Sequence, residues 1–218
     1  MLISQIEVLD KLRRRILIEG EESFWLYKKD VEEYGLYEQQ IISDQQYKMI
    51  RTEKVLLYAK KKALELLERM DRSEAELRTK LRQRDFSDSV IDEAVAYAKR
   101  FHYVDDVRFA MHFIHTRSSS KSKKQIFFSL YQKGVSKEDV ETAYEEFIHE
   151  QEQQGYEEEA KEVESPEILA IKKIVNRKGK PISDYTKEEL LKLTATLYRK
   201  GFSASNIRQV LSYDPDFL

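Results

Sequence analysis

The stretch KLRQRDFSDSVIDEAV, residues 80–95, has two counterparts later in the chain, LYQKGVSKEDVETAY at 130–144 and LYRKGFSASNIRQVL at 197–211. Counted from a shared leucine, the three copies place an apolar residue, a serine and a further apolar pair at identical distances. Their charges differ widely, so the copies share a fold rather than a surface. Such recurrence of apolar and capping residues is typical of tandem structural repeats.

A tight turn lies at the centre of each copy. Gly134 and Gly201 stand where a helix C-cap needs a positive φ angle, and Asp85 stands there in the first copy. The serine that follows suits the N-cap of a new helix in each copy: Ser87, Ser136 and Ser203. The repeated stretch therefore predicts the end of one helix, a turn and the start of a second helix.

A further helix is predicted before each of these pairs. Apolar residues recur there in an i, i+3, i+4 triplet that shares one helix face: Ala63, Leu66 and Leu67, then Ala110, Phe113 and Ile114, then Ile171, Ile174 and Val175. A capping box opens each middle helix: Ser73 with Glu76, Ser122 with Gln125, and Thr186 with Glu189. The chain from about residue 52 onward is therefore predicted to form three related three-helix units.

The first fifty residues follow a different pattern. ISQIEV (3–8), RRRILI (13–18) and SFWLY (23–27) are short segments rich in β-branched and aromatic residues, with a glycine-containing turn between the last two. A small β hairpin or meander is predicted there. A short helix within 28–36, which stops at Gly35, is predicted to follow.

Together these patterns predict a mainly α fold, with three tandem helix-turn-helix-like units in an elongated, curved array preceded by the small β segment. The expected divisions are a β-containing segment at 1–51, a first repeat at 52–104, a second repeat with an acidic extension or linker at 105–164, and a third repeat at 165–218. The acidic stretch at 145–165 contains Gly155 and is predicted to break from helix into linker.

Composition narrows the functional classes. The 218 residues contain no cysteine, which excludes disulfides and thiolate nucleophiles and leaves a zinc site only His and carboxylate ligands. The N-terminus has no apolar signal segment, and no stretch approaches the roughly 18 apolar residues that a membrane span needs. We therefore expect a cytoplasmic protein without membrane association.

Motifs of catalysis are missing as well. The sequence contains no glycine-rich phosphate loop, HExxH or GxSxG pattern. His112 and His115 are i,i+3 neighbours without a placed third ligand. Asp105 and Asp106 precede an apolar helical pattern, where an N-cap explains them better than a metal ion does. We expect no enzyme activity, no metal and no cofactor.

Charge is unevenly distributed, although the formal net charge is only -2. Residues 51–133 hold 19 bases and 12 acids, residues 138–167 hold 13 acids and one lysine, and residues 168–218 hold 10 bases and 5 acids. Basic repeats around an acidic segment are therefore predicted, a pattern that favours binding to a partner over catalysis.

Two groups of basic residues are the candidate binding surfaces. The first basic group surrounds the middle helix of the first unit: Arg69, Arg72, Arg78, Lys80, Arg82 and Arg84. The second basic group surrounds the matching helix start in the second unit: Arg117, Lys121, Lys123 and Lys124. Such groups can neutralise phosphates with little sequence selectivity, or they can be ordinary solvated faces in a chain of which 36% is charged.

Two aromatic residues extend the second group. Phe127 and Tyr131 occupy the positions that correspond to Arg78 and Arg82 in the first unit. They either pack against a neighbouring unit, as tandem repeats require, or form an exposed contact for a partner.

Sequence-specific DNA recognition is not expected. In a helix-turn-helix protein the last helix enters the major groove, but two of the three last helices begin with acidic residues that would repel phosphates. These residues are Asp88, Asp92 and Glu93 in the first unit and Glu138, Asp139 and Glu141 in the second.

Three stretches, in their order and separation, carry a family resemblance: ALELLERMDRSEAELRTKL at 63–81, FHYVDDVRFA at 101–110 and LYQKGVS at 130–136. Over nearly its whole length the chain resembles the RecX family, modulators of the bacterial recombinase RecA. The resemblance implies a non-enzymatic regulator that lodges in the helical groove of the RecA filament on single-stranded DNA. There it would mainly inhibit the ATPase, strand exchange and coprotease activities of RecA in recombinational repair and the SOS response.

The resemblance also implies the partners. The RecA filament is the expected partner, with weak and electrostatic binding to DNA, and we expect a monomer. The two basic groups with Phe127 and Tyr131 are the predicted contacts with the filament. The alternatives are a generic helical DNA-binding module and a helical-repeat adaptor for another protein.

Overall fold

The structure, a computed structural model, describes residues 1–157 and 164–211. It divides into two compact units, Met1–Asp105 and Asp106–Leu218. The first unit has one hydrophobic core, shared by the N-terminal strands and the first repeat, and the second contains two smaller clusters. The predicted mainly α fold with a small N-terminal sheet is confirmed. The four-part division of the sequence stays a prediction.

The N-terminal sheet is the predicted meander. Strands β1 (Ile3–Val8), β2 (Arg13–Ile18) and β3 (Phe24–Tyr27) pair antiparallel in the order β1-β2-β3. Helix α1 (Lys28–Glu33) follows without a gap and ends just before Gly35, whose φ angle is 60°. A glycine at that position relieves the strain that a side chain would meet at positive φ, so the predicted stop is confirmed.

One long helical run follows the sheet. It comprises α2 (Asp44–Ile50), a π-helical segment (Arg51–Leu56) and α3 (Leu57–Arg69). The helix from about residue 52 onward was predicted, but the π-helical segment was not. Hydrophobic periodicity predicts that a segment is helical without distinguishing i→i+4 from i→i+5 bonding.

A buried carboxylate ties α1 to this run. Asp30, which is fully buried, accepts hydrogen bonds from Lys54 Nζ at 3.1 Å, from Tyr58 Oη at 2.7 Å and from the backbone N–H of Tyr27 at 3.2 Å. Hydrogen bonds to Glu33 and Asp30 raise the pKa of the Lys54 ammonium. Burial and the bond to Asp30 raise the pKa of the Tyr58 hydroxyl. The raised pKa values keep Lys54 charged and Tyr58 protonated, so both can donate to Asp30.

The first repeat consists of α3, α4 (Glu74–Arg82) and α5 (Asp88–Arg100). Asp85 has the predicted positive φ angle, 65°. Ser87 is the N-cap residue of α5, but its hydroxyl lies 3.4 Å from that of Ser89 and makes no capping bond. Position and turn were thus predicted correctly, while the cap interaction is absent.

The second unit contains the other two repeats. The second repeat comprises α6 (Asp106–Ser118), α7 (Lys123–Gln132) and α8 (Lys137–Glu157). The third comprises α9 (Pro166–Asn176), a 3-10 turn (Ile182–Asp184), α10 (Lys187–Arg199) and α11 (Ala204–Leu211). Gly134 and Gly201 have φ angles of 79° and 82°, as predicted. Helix α8 extends to Glu157 and so includes Gly155, and residues 158–163 of the predicted extension and linker at 145–165 lie outside the described residues.

Candidate functional site

Part of the first basic group forms ion pairs with carboxylates of its own repeat. The side chain of Arg78 connects α4 to α5, with Nε 2.8 Å from a carboxylate oxygen of Glu74 and Nη1 2.5 Å from one of Asp92. Lys99 reaches Glu74 at 2.7 Å. Burial alone would raise the pKa of Glu74, but the hydrogen bonds from Lys99 and Arg78 bring it below its usual value. The charge of Arg78 is therefore already matched by its own repeat.

Two further arginines of this group are paired in the same way. Arg69 lies 2.8 Å from Glu65 one helical turn away, and Arg82 lies 2.7 Å from Asp88 across the turn between α4 and α5. Both pairs are solvent-exposed, so each adds little stability, but each must be broken or shared before the arginine meets a partner.

The remaining members carry no ion pair with the residues that the structure describes. Arg72 donates to the backbone carbonyl of Leu66 at 3.4 Å, and Lys80 donates to the side-chain amide of Gln83 at 3.1 Å. Arg84 is exposed. These three cations keep their charge available to a partner.

In the second basic group, Lys123 lies over aromatic rings. Its Nζ is 4.0 Å from the centroid of Tyr144 and 5.1 Å from that of Phe127. The two rings meet edge to face at 5.3 Å. Phe127 therefore packs inside its own repeat, against α8. The two predicted alternatives, packing against a neighbouring unit or an exposed contact for a partner, did not include this contact. Tyr131, at 41% exposure, stays accessible to a partner.

The other members of the second basic group surround the start of α7. Arg117 is exposed and lies 5.7 Å over the ring of Phe113. Lys121 and Lys124 form no ion pair with any described residue, and Lys124 is exposed beside Gly201. These three cations therefore keep their charge available to a partner.

Of the residues considered for metal binding, His115 has a structural contact. His115 pairs with Glu150 at 2.9 Å and packs edge to face on Phe147, so it links α6 to α8. Asp105 directly precedes α6, where an N-cap belongs. Among the described residues, no group of three or more His, Asp or Glu is placed to hold a metal ion. None of the described helices is both long and apolar enough to cross a membrane.

A row of aromatic rings at the end of α5, two of them exposed, was not predicted. The centroids of Tyr97 and Phe101 are 4.9 Å apart, and those of Phe101 and Tyr103 are 6.3 Å apart. Phe101 is 51% and Tyr103 48% exposed. Lys60 lies over Tyr97 and Arg100 over Phe101. The i,i+4 spacing of the first two rings was the available signal, because it places them on one helix face.

Comparison with known proteins decides the family. The model of the first three-helix domain of RecX matches residues 59–97, and that of the second three-helix domain matches residues 105–143. The regulatory protein RecX of Caldanaerobacter subterraneus subsp. tengcongensis is 32% identical over 215 residues, which are 97% of this chain and 99% of that protein. The chain belongs to the RecX family.

Further RecX proteins match this chain over nearly its whole length. The regulatory protein RecX of Clostridium acetobutylicum is 29% identical, over 96% of this chain and 94% of its own length. A crystal structure of a regulatory protein RecX matches with a TM-score of 0.58 at 21% identity, over 97% of this chain and 99% of that one. The N-terminal sheet and the third repeat lie outside the two RecX domain models, yet both fall within these longer matches.

Proposed function

We propose that this chain regulates the bacterial recombinase RecA by binding the filament that RecA forms on single-stranded DNA, and that it catalyses no reaction itself. The observation that carries the proposal is the RecX likeness over 97% of the chain. The bound regulator mainly inhibits the ATPase, strand exchange and coprotease activities of RecA. It acts as a cytoplasmic monomer.

The available cations support a contact with such a filament. A cation without its own carboxylate can meet an acidic side chain or a phosphate without first losing an ion pair. Seven members of the two basic groups meet this condition among the described residues: Arg72, Lys80, Arg84, Arg117, Lys121, Lys123 and Lys124. We expect these seven to contribute more to filament binding than Arg69, Arg78 and Arg82, which are ion-paired.

The overall charge favours protein over DNA as the main contact. The net charge is -2, and phosphate contacts alone would be strongly weakened by salt. Tyr131, Phe101 and Tyr103 offer the large exposed rings on which protein interfaces commonly depend. Direct DNA binding is weak and electrostatic in this proposal.

Titration of the protein into a RecA ATPase assay on single-stranded DNA tests the proposal. We expect the hydrolysis rate to fall as the protein approaches the concentration of RecA. An unchanged rate at stoichiometric protein would reject it. The double variant Lys121→Ala/Lys124→Ala should need more protein for the same inhibition, whereas Lys137→Ala/Lys180→Ala, which removes two ion-paired lysines of the same unit, should match the wild type.

A further inference from the structure

The first unit contains a cleft that is separate from most of the two basic groups. Of their members, only Arg84 lines it. It has a volume of about 920 Å³ and lies between the β1–β2 loop, β3, α3 and the turn that precedes α5. We call it the sheet cleft. Lys11, Tyr27, Tyr58, Lys61 and Arg84 are among the side chains that line it. All of its walls belong to one compact unit, so the cleft is a property of that unit alone.

The floor of the sheet cleft is a fixed aromatic cluster. Trp25 and Tyr58 stack nearly parallel, with centroids 5.7 Å apart and 9° between the planes. Tyr27 meets both rings edge to face, at 5.4 and 5.0 Å, and Phe86 closes the cluster 5.2 Å from Trp25. Tyr27 and Tyr58 are half-buried, so part of each ring stays at the cleft surface. The bond from Tyr58 to Asp30 holds this floor in place.

The rim of the sheet cleft is positive. Six cations and two carboxylates line it, in a chain whose net charge is -2. Both carboxylates already form ion pairs, Asp10 with Arg13 at 2.7 Å and Glu65 with Lys62 at 2.9 Å. Four exposed cations remain that form no ion pair with the described residues: Lys11, Lys29, Lys61 and Arg84.

We infer that the sheet cleft binds single-stranded nucleic acid, with phosphates on the rim cations and a base against Tyr27 or Tyr58. Unpaired cations around an aromatic platform are the combination that such strands require, because phosphates release counterions and every base has a face that can stack. An acidic peptide would satisfy the cations but would leave the aromatic floor without a matching group. The inference rests on the proposed function only for the role of the cleft, which is to hold the strand beside the recombinase. Binding of the strand to the cleft does not require RecA.

Fluorescence anisotropy of a labelled oligothymidylate in a salt series, without RecA, tests this inference. The wild-type chain should bind with a salt-dependent affinity. The variant Lys61→Ala/Arg84→Ala removes two exposed rim cations and should reduce the slope of log K against log salt by about 1.4, or about 0.7 per phosphate contact. The control Lys137→Ala/Lys180→Ala changes the net charge equally, lies in the other unit, and should retain the wild-type slope.

The aromatic floor has its own test. Tyr27→Leu keeps an apolar side chain but removes the ring, and it should weaken oligothymidylate binding by about five-fold or more. A melting curve for each variant verifies that it is folded. If Tyr27→Leu fails to fold, the lysine and arginine variants still decide the question, because their side chains are exposed.

Three results would overturn the inference. They are an absence of oligothymidylate binding at low salt, a Lys61→Ala/Arg84→Ala slope equal to that of the wild type, and a labelled polyglutamate peptide that binds as tightly and displaces the DNA. The last result would assign the cleft to an acidic protein segment. Inhibition of RecA ATPase without oligothymidylate binding rejects the cleft alone, and binding through the cleft without any effect on the ATPase rejects the proposed function alone.

Discussion

The hydroxyl of Ser122 donates a hydrogen bond to the carbonyl oxygen of Lys200 at 2.5 Å, which joins the start of α7 to the end of α10. The same oxygen accepts from the backbone N–H of Gln125 at 3.3 Å and so caps α7. Ser122 is fully buried. One side chain therefore both starts a helix and connects the second repeat to the third.

Replacement of Ser122 tests this double role. Ser122→Ala should lower the free energy of unfolding by about 2 kcal/mol, of which about 1 comes from the lost cap and about 1 from the lost bond to Lys200. Ser43→Ala is the matched control, because the Ser43 hydroxyl caps α2 through Gln46 N–H and is exposed, and it should cost about 1 kcal/mol. If urea denaturation shows that Ser122→Ala and Ser43→Ala lose equal free energy of unfolding, Ser122 does not stabilise the contact between the second and third repeats.

Gly201 should tolerate no side chain. A β carbon there would lie 3.0 Å from Lys124 Cβ and 3.2 Å from Ser122 Oγ, and φ is 82°. Gly201→Ala should therefore cost about 1 to 2 kcal/mol for the positive φ and at least about 1 more for the contacts. Gly179→Ala isolates the first part, since φ is 68° and nothing lies within 4 Å. Urea denaturation followed by circular dichroism measures the difference, and the prediction fails if the two variants lose equal stability.

Asp30 should stabilise the first unit strongly. Asp30→Asn removes the charge that faces Lys54 in a fully buried position, and we expect a loss of about 2 to 3 kcal/mol. Glu33→Gln neutralises the exposed partner of the same lysine and should change stability by less than about 0.5 kcal/mol. The fluorescence of Trp25, the single tryptophan, reports unfolding of this unit. Similar midpoints for both variants would argue against a buried charge pair.

Glu189 should give the third repeat an acid-dependent contribution to stability. Hydrogen bonds from Lys180 and from the Thr186 backbone N–H lower its pKa from 4.5 to about 2. Because the folded pKa is depressed, the contribution is complete above about pH 4.5 and is lost as the pH falls towards about 2. An NMR titration of the carboxyl carbon checks this.

Two variants separate the causes of that shift. Lys180→Ala should return the pKa of Glu189 towards 4.5, whereas Thr186→Ala, which keeps the backbone N–H, should change it less. A pKa of Glu189 that is the same in Lys180→Ala and in the wild type would show that the ammonium is not the main cause.

Local features of the fold were predictable from sequence because their partners lie within a few residues. The N-caps at Ser73, Ser122 and Thr186 each accept a backbone N–H three residues on, as their capping boxes predict. Two features were not predictable: the π-helical segment at Arg51–Leu56, and the absence of a capping hydrogen bond from the hydroxyl of Ser87. Both depend on how the helix packs rather than on which residues it contains.

The candidate binding surfaces were not predictable from local sequence, because their partners lie far apart in the chain. The sequence places Arg78 and Arg84 in one basic group, yet Arg78 is neutralised by Asp92, fourteen residues away, while Arg84 has no ion pair among the described residues. The sheet cleft joins side chains from residues 10–13, 25–29, 58–65 and 84–86. No local pattern connects those segments.

The sequence by itself determined the order of strands and helices, the turns between them and the RecX likeness, because capping bonds, φ preferences and hydrophobic periodicity act over a few residues. Only the tertiary structure decided that Ser122 reaches Lys200, which cations are already paired, and that a positive rim surrounds Trp25 and Tyr58. These features depend on distances between side chains far apart in the chain, and charge pairing is decided by those distances.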